Sequence, residues 1–147
     1  MSTIATLFTR DHRHADDGFA AVEAALLTGP TASALDAWKA LEAELLHHFL
    51  VEEEALFPAF EATTGMSSGP TEAMRLEHAQ MRELFAPLAA AIEAEETESV
   101  RDLLETLLVM LQQHNMKEEN VLYPLCDQAL ATAQREAIAR RLAATSP

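Results

Sequence analysis

The sequence predicts an all-α protein, an antiparallel up-down-up-down four-helix bundle with a short C-terminal helix. Three observations predict it. Apolar residues make up 49% of the 147 residues, mostly Ala and Leu, and there are only four Gly, a balance that favours helix over strand. No segment alternates apolar and polar residues between turn signals as a half-buried strand would. The chain also repeats itself. The stretches from His48 to Pro58 and from His114 to Pro124 both read H-x-x-x-E-E-x-x-L-(F/Y)-P, 66 residues apart, and the pairs Asp11-His12 and Glu77-His78 share that offset. A fixed internal offset marks a duplicated structural unit. Here the unit is a histidine followed 36 residues later by H-x-x-x-E.

The first helix is expected from Thr3 to Leu27 on the stripe Phe8, His12, Ala15, Phe19, Val22 and Leu26, which steps alternately by four and three. Thr28-Gly29-Pro30 stops it. The second spans Ala32 to Phe57, with room to continue past Pro58 to Ala62, on the stripe Trp38, Leu41, Leu45, His48, Glu52 and Leu56. Pro30 is 18 residues from both His12 and His48. A hairpin turning there sets the two histidines at one level, roughly 27 Å from the turn at ~1.5 Å per residue. The stretch from Thr63 to Gly69 is the longest turn-rich loop, and Pro70 suits the first turn of a third helix. That helix carries Met74, His78, Met81, Phe85, Leu88 and Ile92, each 66 residues after its counterpart in the first. Pro87 inside it predicts a kink, where the Glu83 carbonyl loses its partner. After an acidic turn at 93–98, the fourth helix runs from Ser99 to Leu122 on Val100, Leu104, Leu107, Leu111, His114, Glu118 and Val121, with Pro124 ending it. A tail from Ala133 to Leu142 packs Ile138 and Leu142 on the end of the bundle.

The length fits one domain, 1–147, with a full core. A formal charge of −14 argues against nucleic acid or an anionic membrane surface as partner. The N-terminal residues lack the apolar stretch of a secretory signal, no apolar run is long enough to span a bilayer, and the single cysteine, Cys126, excludes an internal disulfide. A cytoplasmic location is the expectation.

Six polar residues stand on otherwise apolar stripes: His12, His48, Glu52, His78, His114 and Glu118. Residues i and i+4 share a helix face, so His48 pairs with Glu52 and His114 with Glu118. Imidazole and carboxylate on one face chelate iron, manganese or zinc, and such pairs projecting inward from four helices are how bundles hold two metals. A lone core histidine is ordinarily a satisfied core residue. Two buried carboxylates without compensation cost several kcal/mol each, no Lys or Arg sits on a stripe, and two divalent cations would compensate them. His14 and His47 align with Gln80 and Gln113 at the repeat offset and read as solvated surface. Glu53 and Glu119 lie one position off the inner face, behind the ligands or at the surface. Tyr123 is placed to donate to a ligand carboxylate or simply to pack, as its counterpart Phe57 must. Cys126 reads as a plain packed or free thiol, and Met74 and Met81 as core.

With Asp11-His12, the stretch beginning at His48, Glu77-His78-Ala79-Gln80-Met81-Arg82 and the stretch beginning at His114, nearly the whole chain resembles the haemerythrin family in its HHE cation-binding branch. The resemblance implies a non-haem di-iron centre, two Fe ions (Mn or Zn being accepted by the same donors), held by His12, His48, His78 and His114. Glu52, Glu118 and an oxo or hydroxo group would bridge them. It further implies a protein that binds, senses or reacts with O2, peroxide or NO. The rival readings are a non-enzymatic iron or oxygen sensor or iron-handling protein, and a structural bundle holding zinc. Oxygen carriers of the family have a further histidine where this chain has Arg82, and Asp five residues after the last histidine where this chain has Glu118 at four and Glu119 at five. One ligand fewer points away from reversible oxygen carriage. Arg82 itself is expected either to steer an anionic ligand or to pair with Glu83 or Asp16 at the surface.

Overall fold

The computed structural model describes residues 2–144, and they form helices with no strand among them. Helix α1 is Ile4–Thr28; α2 (Thr31–Val51) continues through a wide turn at Glu52–Leu56 into α3 (Phe57–Thr64). Helices α4 (Pro70–Arg82) and α5 (Phe85–Glu93) form the third rod, and α6 (Thr97–Lys117) continues through a second wide turn at Glu118–Leu122 into α7 (Tyr123–Ala129). Helix α8 (Thr132–Ala143) closes the described chain. The expected four-rod bundle with a short terminal helix is what forms, α1 packing on α2 and α7, α2 on α5, and α6 on α4 and α5.

The ends of α1 are set locally and from afar. The Thr3 hydroxyl accepts from the Thr6 amide at 3.0 Å. Asp127, at the other end of the chain, accepts from the amides of Ile4 and Ala5 at 2.8 and 3.1 Å, a carboxylate where the helix dipole favours one. Where α1 crosses α2, a Cβ on Gly18 would meet Leu41 Cδ1 at 2.8 Å and displace that side chain. The predicted kink lies at Glu83 and Leu84, between α4 and α5, one turn before Pro87.

Pro124 does not end the fourth rod. In each wide turn the bond spans five residues: the Phe57 amide donates to the Glu52 carbonyl and the Tyr123 amide to the Glu118 carbonyl. Pro58 and Pro124 then fall at the start of the next helical segment, where a missing N–H removes no bond. The extra residue also shifts the inner face, so Leu122 is buried and Val121 is 52% exposed. Leu26, another stripe position, is 39% exposed because it lies at the open hairpin end.

The core divides in two. One cluster runs from the hairpin ends upward and includes Phe19, Trp38, Leu45, Leu88, Leu104 and Leu107. The other caps the far end with Ile4, Phe8, Leu56, Phe60, Leu122 and, from α8, Ile138. Between them lies a buried polar layer: His12, His48, Glu52, His78, His114 and Glu118.

Candidate metal centre

The helices bring all six sequence-predicted residues together, each no more than 5% exposed. Their donor atoms form two groups that share Glu118. Those of Glu52, His78, His114 and Glu118 lie within 4.8 Å of one another, and so do those of His12, His48 and Glu118.

Each histidine is fixed from behind by a carboxylate on another helical rod. The Nδ1–H of His12 donates to Glu119 at 2.7 Å and that of His78 to Glu53 at 2.7 Å; His48 donates to Asp11 at 2.6 Å and His114 to Glu77 at 2.8 Å. These four bonds obey the 66-residue repeat. Glu53 and Glu119 therefore stand behind ligand candidates, one of the two readings their position allowed. Asp11 and Glu77 are the pair to which sequence reasoning gave no role, although their repetition beside His12 and His78 was the signal.

With Nδ1 donating, a neutral ring offers only a lone pair at Nε2. All four Nε2 atoms point into the layer, that of His78 lying 3.1 Å from that of His114. His78 Nε2 is 3.1 Å from Glu52 Oε1, and His12 Nε2 is 3.1 Å from Glu118 Oε1. Acceptors thus face acceptors, and Glu52 Oε1 and Glu118 Oε2 are buried with no hydrogen-bond partner. Only cations or protons among these atoms make the arrangement favourable. The electrostatics agree. Burial pushes His114 down, but the carboxylates of Glu118, Glu52 and Glu77 together outweigh it and the ring rises to about 9. His48 likewise rises against its burial, drawn up by Glu52 and Asp11, while Glu52 is held well below the carboxylate range by His48 and its neighbours despite burial. The layer seeks positive charge, and the orphaned oxygens and converging lone pairs fit metal cations.

Tyr123 enters the same layer. Its hydroxyl lies 2.7 Å from Glu52 Oε2, 2.8 Å from Glu118 Oε1 and 3.0 Å from His12 Nε2. Burial, with the two carboxylates, raises its pKa well above the ordinary value, so it is a neutral donor, as one sequence reading allowed. Phe57, its counterpart, packs against His78 at 5.8 Å, and Phe49 stacks on the same ring at 4.1 Å and 16°.

Other positions differ from expectation or stand apart. Arg82 does not pair with Glu83 or Asp16. It grips Glu53, on the first wide turn, with two bonds of 2.8 and 2.9 Å. His47 is not solvated: it is half-buried and its Nε2 meets the Leu142 carbonyl at 3.0 Å. His14 is exposed as expected. Cys126 is buried, its thiol pushed up to about 12 first by burial, and Met74 and Met81 belong to the core.

Fold and layer define a class: a four-helix bundle with an interior His and Glu donor set, such as holds metal cations. A family model, the Hemerythrin HHE cation binding domain, matches residues 3–126. The chain belongs to that family of cation-binding bundles. No curated protein and no solved structure matches it. No helix among the described residues is long and apolar enough to cross a membrane.

Proposed function

We propose that the protein is a non-haem di-iron protein that binds, senses or reacts with a small oxidant or diatomic ligand: O2, peroxide or NO. His12 and His48 would hold one iron and His78 and His114 the other, with the carboxylates of Glu52 and Glu118 completing the donor set. The observation that carries this reading is the convergence of four imidazole lone pairs and two carboxylates in one buried layer. When bound there, iron supplies redox chemistry and an open position for an exogenous ligand.

The chain's own residues do the rest. Asp11, Glu53, Glu77 and Glu119 fix the tautomer of each histidine and strengthen it as a donor. Phe8, Phe49 and Phe57 wall the layer and exclude water. Tyr123 holds the hydroxyl proton nearest both carboxylates, ready to bond to a small anionic ligand. A narrow cleft lined by Asp11, His12, Glu44, His48 and Asn115 leads to the first pair of histidines. It is wide enough for a water-sized molecule, which favours diatomic ligands over larger substrates.

Metal analysis with an optical spectrum of natively purified protein tests the proposal. Two irons per chain and a ferric spectrum that changes on adding azide or peroxide are expected. Saturation at one metal, or two colourless redox-silent zinc ions, would overturn it.

A further inference from the structure

The two halves of the metal centre obey one repeat, yet the charges behind them are unequal. On the His78 and His114 side, both supporting carboxylates are neutralised. Arg82 grips Glu53 with two bonds, and Lys117 Nζ bonds to Glu77 at 2.6 Å. On the His12 and His48 side, no Lys or Arg among the described residues forms an ion pair with Glu119 or Asp11. The repeat position of Arg82 is occupied there by Asp16, and that of Lys117 by the buried Val51. Asp16 lies within electrostatic reach of His12 and Glu119, with Asp17 adding negative charge and Arg13 opposing it. Asp11 and Asp17 likewise act on Glu44, with His14 opposing them, and Glu44 lines the cleft beside His12 and His48.

The chemical consequence follows from the histidines. A carboxylate already shared with a guanidinium is a weaker acceptor for an imidazole N–H, so His78 keeps less negative character on its ring. A carboxylate among other carboxylates pulls harder on the proton, and His12 becomes the stronger electron donor. The surplus negative charge on that side also favours a trivalent over a divalent ion. The halves also differ in that the Tyr123 hydroxyl lies 3.0 and 3.4 Å from the Nε2 atoms of His12 and His48, whereas Phe57 stands opposite.

We infer that the two metal positions are electronically unequal, the His12–His48 position holding the ion that is harder to reduce and the His78–His114 position the one reduced first. Arg82 and Asp16 are the positioning charges that set this order, acting through Glu53 and Glu119. The inference rests on the di-iron reading and names which half stays ferric at intermediate potential.

The experiment is a spectroelectrochemical titration of the iron-loaded full chain, recording its two one-electron steps. Asp16 is exposed, so Asp16→Arg preserves the fold while placing an Arg82 equivalent on the opposite half. The added positive charge raises both potentials, and the gap between them isolates the local effect. Asp16→Arg is expected to raise the lower potential more and narrow the gap, by about tenfold in equilibrium constant, or ~59 mV for one electron. Arg82→Gln is expected to lower the upper potential and narrow the gap too. Asp36→Arg, an exposed change near the hairpin end, is expected to leave the gap unchanged. A gap that widens in Asp16→Arg, or moves equally in Asp36→Arg, overturns the inference. A wild-type protein that saturates at one iron defeats the di-iron reading instead, before any variant is made; two bound irons reduced together in one unresolved step overturn the inference.

Discussion

The polar layer and the apolar cluster beneath it are built on the same four rods and the same helical spacing, and they are held by different forces. Around Trp38, Leu88 and Leu107 every inward position is apolar and fully buried, so the fold gains from each contact at ~25 cal/mol per Å² of apolar surface removed from water. One or two turns further, the inward positions are histidines and glutamates whose acceptors face one another. That layer is favourable only with cations or protons among its donors. The apolar cluster specifies the bundle, and the polar layer uses that rigidity to hold donors in place.

The largest expected effect separates the two layers directly. Glu118 belongs to both donor groups, so Glu118→Ala should weaken metal binding at both positions by more than about a hundredfold and leave His12 and His114 without their buried counter-charge. Leu107→Ala should cost about 2–5 kcal/mol of stability through the cavity it leaves, yet retain the full metal stoichiometry at temperatures where the variant is folded. Metal content by elemental analysis and melting temperature by circular dichroism check both. A Leu107→Ala protein that loses metal while folded would mean that the two layers are not separable.

A smaller effect is read through pH. In the metal-free protein His114 is raised to about 9. Its contribution to stability is therefore fully present below its unfolded value of 6.5 and lost as pH rises through about 9. Glu53 behaves in the opposite sense. Burial pushes it up, but the bonds from His78 and Arg82 prevail and bring it to about 2, from 4.5. Its contribution is present above 4.5 and lost as pH falls through about 2. Metal-free protein should thus melt highest between about pH 4.5 and 6.5, while the metal-loaded protein should lack the alkaline decline, because metal replaces the proton. Metal uptake at pH 7 should release protons, measurable with a pH indicator in weak buffer. Uptake without proton release would contradict the protonated state of His114.

The sequence made the donors legible and their supports only partly so. His48 with Glu52 and His114 with Glu118 follow from helical spacing within one rod, and the repeat offset adds His12 and His78. The bonds from His48 to Asp11 and from His114 to Glu77 cross between rods, so they depend on how each helix is rotated in the bundle. The wide turns at Glu52–Leu56 and Glu118–Leu122 are backbone events: the bond from Tyr123 to the Glu118 carbonyl leaves no mark in side-chain periodicity. Reading straight helical spacing through the second turn put Val121 inside in place of Leu122. The recurring Pro58 and Pro124 are the available signal: the second helix has room to continue past Pro58, but Pro124 reads as a stop because a proline inside a regular helix would be one. Arg82 failed for the same reason, since its partner Glu53 sits on the first wide turn.

The smallest expected effect belongs to His47, whose role depends on where α8 lands. Helix α8 packs Ile138 and Leu142 against the cap cluster, and Arg141 bonds to the exposed Glu54 on the first wide turn. An exposed pair of that kind contributes little. The half-buried bond from His47 Nε2 to the Leu142 carbonyl satisfies one of the last carbonyls of the helix, which have no partner within it. Its removal in His47→Ala should cost about 0.5–1.5 kcal/mol. Because α8 supplies no donor to the polar layer, the loss should appear as faster amide exchange in the last turn of α8 with unchanged metal content. His47 is adjacent to His48, so the variant also tests the face assignment. If His47→Ala strips metal while the α8 amides stay protected, the imidazole serves the centre rather than the helix, and the separation of the two layers fails at their border.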